Sequence, residues 1–184
     1  MSGFCRVSLS RAEFPNDVPL VVVNRLSAYA FGDDKFGIEN QRIPSIYFNK
    51  IYDSPSATFL AEFSQRIIDT SCGFARKGPV YLVRPIPELR LNVPRTMGMA
   101  LLRGHQERVS ISLDEYRIRN RFIWAAQDIA RAQCGIHILD PLPYLCSDGR
   151  CWGDQDGLPL YIDDHHLSGR GAALLLPMFQ TIFQ

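Results

Sequence analysis

No stretch of the 184 residues approaches the run of about 18 apolar side chains that a membrane-spanning helix needs, and the N-terminus "MSGFCRVSLSRAEF" lacks the apolar core of a signal peptide. The chain by itself is therefore expected to carry neither a span nor an export signal. Cys5 has no hydrophobic segment before it, which argues against a lipid anchor. Charge of one sign is also missing: 20 Lys and Arg against 19 Asp and Glu leave a net +1, without the basic field that nucleic-acid binding draws on. Low-complexity tracts and internal repeats are absent. With 46% hydrophobic and 21% charged residues, what remains is the composition of one soluble globular domain.

Cysteine is scarce enough for each residue to be weighed. Among five, Cys146 and Cys151 lie together in "CSDGRC", where an Asp148-Gly149 turn lets the chain double back. A local disulfide is favoured over two reduced thiols. Cys72 and Cys134 look isolated and supply no matching pair for a zinc site, so no metal is expected.

Three short β-branched runs, "VPLVVV" (18–23), "VYLVRP" (80–85) and "IHILDP" (136–141), read as buried parallel strands because none alternates polar with apolar. Between the first two, "SPSATFLAEFSQRIIDTSCGF" has Ser54 as N-cap, Pro55 at the first helical position and Gly73 as the stop. Between the second and third, "SLDEYRIRNRFIWAAQDIARAQCG" opens on a capping box from Ser112 to Glu115 and ends at Gly135. A last helix starts near Ser168, with Pro177 kinking or ending it. Strand and helix alternate, which predicts an α/β three-layer sandwich on a parallel sheet with right-handed crossovers. Three strands make a thin sheet, so a portion of a larger α/β domain is expected, with an open edge. The connections 33–52 and 85–110 are long enough to shape a site.

The densest chemistry is "YIDDHHLS" (161–168), placed after the third strand, where open α/β folds bind ligands. Asp163 and His166 are three apart, a spacing at which the carboxylate can hold one ring nitrogen while the other faces a substrate. A metal site and a polar cap for the last helix, with Ser168 as N-cap, remain the alternatives. His165 is assigned a background role, turned away from the face of His166.

The segment from "IHILDP" through "CSDGRC" and "PLYIDDHHLSGRGA" resembles the C-terminal part of the SGNH (GDSL-like) domains fused to bacterial acyltransferase-3 membrane proteins. "VPLVVVNRLSAYAFG" and "VYLVRPIPEL" resemble earlier parts of the same domain, so the similarity covers most of the chain from about Val18 onward, and residues 1–184 are expected to form a single SGNH-like domain, its C-terminal portion without the nucleophile-bearing first strand. The resemblance implies a flavodoxin-like SGNH hydrolase fold lacking its N-terminal strands. It implies O-acyl transfer or ester hydrolysis on cell-envelope polysaccharide at the periplasmic face of the inner membrane. Asp163 and His166 would be the catalytic pair, without a cofactor; the partners would be an acyl donor, a carbohydrate acceptor and the acyltransferase membrane domain. The family's Gly-Asp-Ser block is not in this sequence, and "GDD" at 32–34 puts Asp where the hydroxyl belongs. Its oxyanion block is missing too, leaving Asn24 or Arg25 as carbonyl or substrate contacts. Tyr29, Tyr47, Arg90 and Arg95 are candidates for a sugar groove. A noncatalytic carbohydrate-binding or assembly module that lost the serine is the competing expectation.

Overall fold

A computed structural model of the chain describes residues 18–32 and 43–184; Cys5 and the aspartates of "GDD" lie outside them. All three apolar runs are strands, β1 (Leu20–Val22), β2 (Val80–Val83) and β4 (His137–Leu139), which pair in parallel in the order β1-β2-β4. Register is set by Val21 opposite Tyr81 and by Tyr81 opposite His137. The two crossovers are long helices. In α2 (Ala57–Ala75), Phe59, Phe63 and Ile67 pack on Ile123 and Ala126 of α4 (Leu113–Cys134). Ile68 and Ala130 close the same layer over Val80 and Leu82 of the middle strand.

Successive strand residues point to opposite faces, so Val83 and Leu139 meet the other layer instead. That layer contains α5 (Leu142–Leu145), α6 (Gly169–Ala173) and α7 (Leu176–Gln180), with Leu145, Leu175 and Met178 buried against the sheet. A parallel sheet covered on both faces is the three-layer α/β arrangement. Among the described residues β1 is an edge; Val21 on it and Val23 just beyond it are exposed.

Several boundaries differ from the sequence reading. The α2 N-cap is Ser56, whose Oγ accepts from the Phe59 N–H at 3.3 Å, and the helix runs past Gly73 to Ala75. A six-residue helix, α1 (Leu26–Phe31), follows β1 directly. The proline-rich connection at 85–110 hides α3 (Val93–Leu102), capped by the Asn92 side chain on the Arg95 N–H at 3.0 Å. Pro177 sits in the first turn of α7, where a missing N–H costs no helical hydrogen bond.

Cys72 and Cys134, read as isolated, form a disulfide. Both crossover helices return antiparallel to the strands, so their last turns lie side by side although 62 residues separate the cysteines. The second disulfide, Cys146–Cys151, fastens a hairpin of β5 (Cys146–Ser147) and β6 (Arg150–Trp152). That hairpin extends a small antiparallel sheet begun by β3 (Ser110–Ser112), and β7 (Asp154–Gln155) with β8 (Leu158–Pro159) forms a second hairpin leading to the DDHH loop.

Candidate functional site

The loop at 162–167 is pinched at its base and held from above. An isolated antiparallel bridge joins Tyr161 to Leu167, the Ile162 N–H donates to the His166 carbonyl at 2.9 Å, and the Ser168 N–H to the Leu160 carbonyl at 2.8 Å. From above, the Leu89 N–H donates to the Asp164 carbonyl at 2.7 Å and the Val93 N–H, first in α3, to the Asp163 carbonyl at 3.0 Å. Below, α6 passes so close that a Cβ at Gly171 would lie 2.1 Å from the Leu160 carbonyl oxygen. Only glycine fits there.

Inside this frame Asp163 organises both histidines. Its Oδ1 accepts from the His165 and His166 backbone N–H groups, each at 2.7 Å, and its Oδ2 lies 2.7 Å from Nδ1 of His166. Partial burial works against charge on Asp163, but the two backbone N–H groups, the His166 ring and the nearby His165 outweigh it and hold the carboxyl well below the usual aspartate range. An ionised carboxylate can only accept, so Nδ1 of His166 carries the proton and the Nε2 lone pair points away from the loop. The His166 side chain is 62% exposed, and among the described residues no hydrogen-bond partner meets Nε2. An imidazole held in this way can accept a proton at Nε2.

His165 is not turned away from His166. The ring centroids are 4.0 Å apart, and His165 Nδ1 lies 2.8 Å from Oδ1 of Asp164, its own carboxylate partner. Side chains of neighbouring residues are expected to point apart, but the turn around Asp163 Oδ1 folds both rings to one side. Asp163, His165 and His166 also bring ligand atoms within 4.8 Å of one another, so a divalent ion could share them.

Arg25 lies in an ion network. Its Nε donates to buried Glu88, whose other oxygen accepts from Arg119 Nη2 at 2.9 Å and Nε at 3.1 Å. Arg119 also donates to the Gly32 carbonyl at 2.8 Å. Glu88 precedes Leu89, which holds Asp164, so the network braces the loop from behind. The same segment is gripped by two buried phenols: the Tyr116 hydroxyl donates to the Pro85 carbonyl at 2.6 Å and the Tyr161 hydroxyl to that of Pro87 at 3.0 Å. Burial pushes the Tyr161 hydroxyl up, as it does that of Tyr116, so both are protonated donors. Asn24 lies two residues beyond β1, with its Oδ1 buried and without a hydrogen-bond partner among the described residues.

Glu88, Arg119 and the two tyrosines escaped the sequence reading. The available signal was polar intrusion on the apolar stripe of α4, where Asn120 and Gln127 are buried beside Tyr116 and Ile123. Tyr29 and Tyr47 are exposed, Arg90 pairs with Glu115, and Arg95 borders a shallow hollow with Thr96 and Met99.

A family model described as "SGNH domain (fused to AT3 domains)" matches residues 6–181. The chain belongs to this SGNH family. No curated protein and no solved structure matches it. Membership makes this SGNH domain a module of hydrolase or acyltransferase type, with an acyltransferase membrane domain as its partner, and it agrees with the parallel-sheet α/β fold. Among the described residues no helix is long and apolar enough to cross a membrane.

Proposed function

We propose that this SGNH domain transfers or hydrolyses O-acyl groups, acetyl in the first instance, on cell-envelope polysaccharide at the periplasmic face of the inner membrane. The observation that carries this is the Asp163–His166 hydrogen bond with Nε2 turned outward. In the reaction, a serine hydroxyl gives its proton to Nε2 of His166 as its oxygen attacks the ester carbonyl, while Asp163 steadies the imidazolium. The proton then passes to the departing oxygen, and a sugar hydroxyl or water, deprotonated by the same histidine, releases the acyl group.

The serine is proposed to come from a strand that pairs with the open side of β1, since the sequence has no Gly-Asp-Ser and β1 has a neighbour on one side only among the described residues. The chain is then the C-terminal portion of a domain completed by that strand. Asn24, two residues beyond β1, is proposed as a carbonyl or substrate contact.

The test is hydrolysis of p-nitrophenyl acetate by the chain and by a version extended upstream through the Gly-Asp-Ser strand. The extended protein should turn over and the shorter one should not. In the extended protein His166→Ala should remove nearly all activity and Asp163→Asn about 10⁴-fold of kcat through loss of the correct tautomer, whereas His165→Ala should cost less than about tenfold. Enzymatic turnover by the chain alone, or a requirement for His165 in place of His166, would refute the assignment. An extended protein that binds glycan without turnover would establish a noncatalytic module instead.

A further inference from the structure

One cavity lies apart from the dyad loop, and α3 runs from that loop to it. Its first N–H, on Val93, holds Asp163, while Met97 and Leu101, one and two turns along, line a cavity of about 660 Å³. At ~1.5 Å of rise per residue these positions lie roughly 6 and 12 Å from Val93. The volume is in the ~300–1,000 Å³ range of small-molecule sites.

The opposite wall is fixed before any ligand arrives. The Cys146–Cys151 bond locks the β5–β6 hairpin that carries Trp152, and the Arg108 guanidinium lies 3.8 Å from the Trp152 ring centroid. Arg108 is itself held by Asp154, 3% exposed, through Nε contacts of 2.9 and 3.1 Å.

The lining is acidic and otherwise mixed in its polar groups. Glu107, Asp148, Asp154 and Asp156 are carboxylates, which only accept when ionised; the amides of Gln106 and Gln155 and the hydroxyls of Tyr144 and Ser147 both donate and accept, and the Trp152 indole donates. Among the described lining residues Arg108 is the one cation, and Asp154 neutralises it; Arg170 reaches Asp156 at 3.6 Å from outside. Leu145, Leu160 and Leu174 add apolar surface. A fitting ligand has groups that both donate and accept, an apolar face and no negative charge. A sugar ring has hydroxyl donors on its edge and C–H groups on its face. We infer that this cavity binds neutral sugar residues of the glycan, adjacent to the residue whose ester reaches His166, and discriminates against acidic sugars. The inference rests on the reading of the chain as a glycan-acting domain.

The experiment is methyl and indole N–H NMR on the chain, titrated with cellotetraose, maltotetraose, mannotetraose and tetragalacturonate. At least one neutral tetrasaccharide should shift the Met97 methyl and Trp152 indole signals, and tetragalacturonate should bind about fivefold more weakly or worse. Glu107→Gln/Asp156→Asn should narrow that gap to about twofold, and Ser147→Trp on the exposed rim should abolish the shifts. No shift with any neutral tetrasaccharide, shifts confined to the 162–167 loop, or equal binding of tetragalacturonate would each overturn the inference. The readout needs no serine. Binding here with an inactive extended protein therefore defeats only the catalytic reading, and an active extended protein with a silent cavity defeats only this one.

Discussion

Cleaving the two disulfides should cost the protein unequal amounts of stability, in a ratio that their loop sizes determine. A crosslink restricts the unfolded chain, and the entropy it removes grows with the logarithm of the loop it closes. Cys72–Cys134 spans 62 residues and Cys146–Cys151 spans 5. The chain-entropy relation then gives about 4 kcal/mol for the first and about 2 kcal/mol for the second. The assay is urea unfolding under oxidising conditions of wild type, Cys72→Ala/Cys134→Ala and Cys146→Ala/Cys151→Ala. With a slope of ~2.5 kcal/mol per molar urea, midpoints should fall by roughly 1.6 M and 0.8 M. In reductant all three proteins should converge to within about 1 kcal/mol, because only the crosslinks distinguish them. If the short-loop variant loses more than the long-loop one, or if reductant leaves the wild-type midpoint unmoved, the reasoning is wrong. A domain that draws ~4 kcal/mol of a typical 5–15 kcal/mol from one bond needs an oxidising compartment to keep it, which fits the proposed periplasmic setting.

Replacing Glu88 by Gln leaves Arg25 and Arg119 without their shared anion, and since the Arg119 side chain is 10% exposed, a loss of about 3 kcal/mol is expected in urea or thermal unfolding, with broadening of the 162–167 amide signals. Gly171→Ala sets a methyl against a backbone carbonyl that is already tied to Ser168, so it should cost about 3 kcal/mol or prevent folding, seen as a lowered Tm. Asp163 has a folded pKa below its unfolded one, so its contribution is complete above the ordinary aspartate range and fades as pH falls through the lower folded value; Asp163→Asn should flatten that part of the acid stability profile.

What the sequence determined by itself was local. The three β-branched runs are strands where they stand, Ser112 and Glu115 form the capping box of α4, and Gly135 ends it in a left-handed turn. Asp163 and His166 meet because three residues of turn suffice to join them. Each depends on neighbours within about four positions, so spacing and residue type carry the information. The α3 helix was hidden in a connection rich in prolines and polar residues, and α1 is only six residues long; both are stabilised by what they pack on. The placement of His165 failed because a carboxylate that accepts two consecutive backbone N–H groups turns both rings the same way. Tertiary structure alone decided the long-range pairings. Glu88 joins Arg25 and Arg119 across 63 and 31 residues, Cys72 finds Cys134, and α3 holds Asp163 at its first N–H while Met97 and Leu101 line the Trp152 cavity. Such contacts form where packed helices and sheet faces bring surfaces together, and distance along the chain says nothing about which surfaces those are.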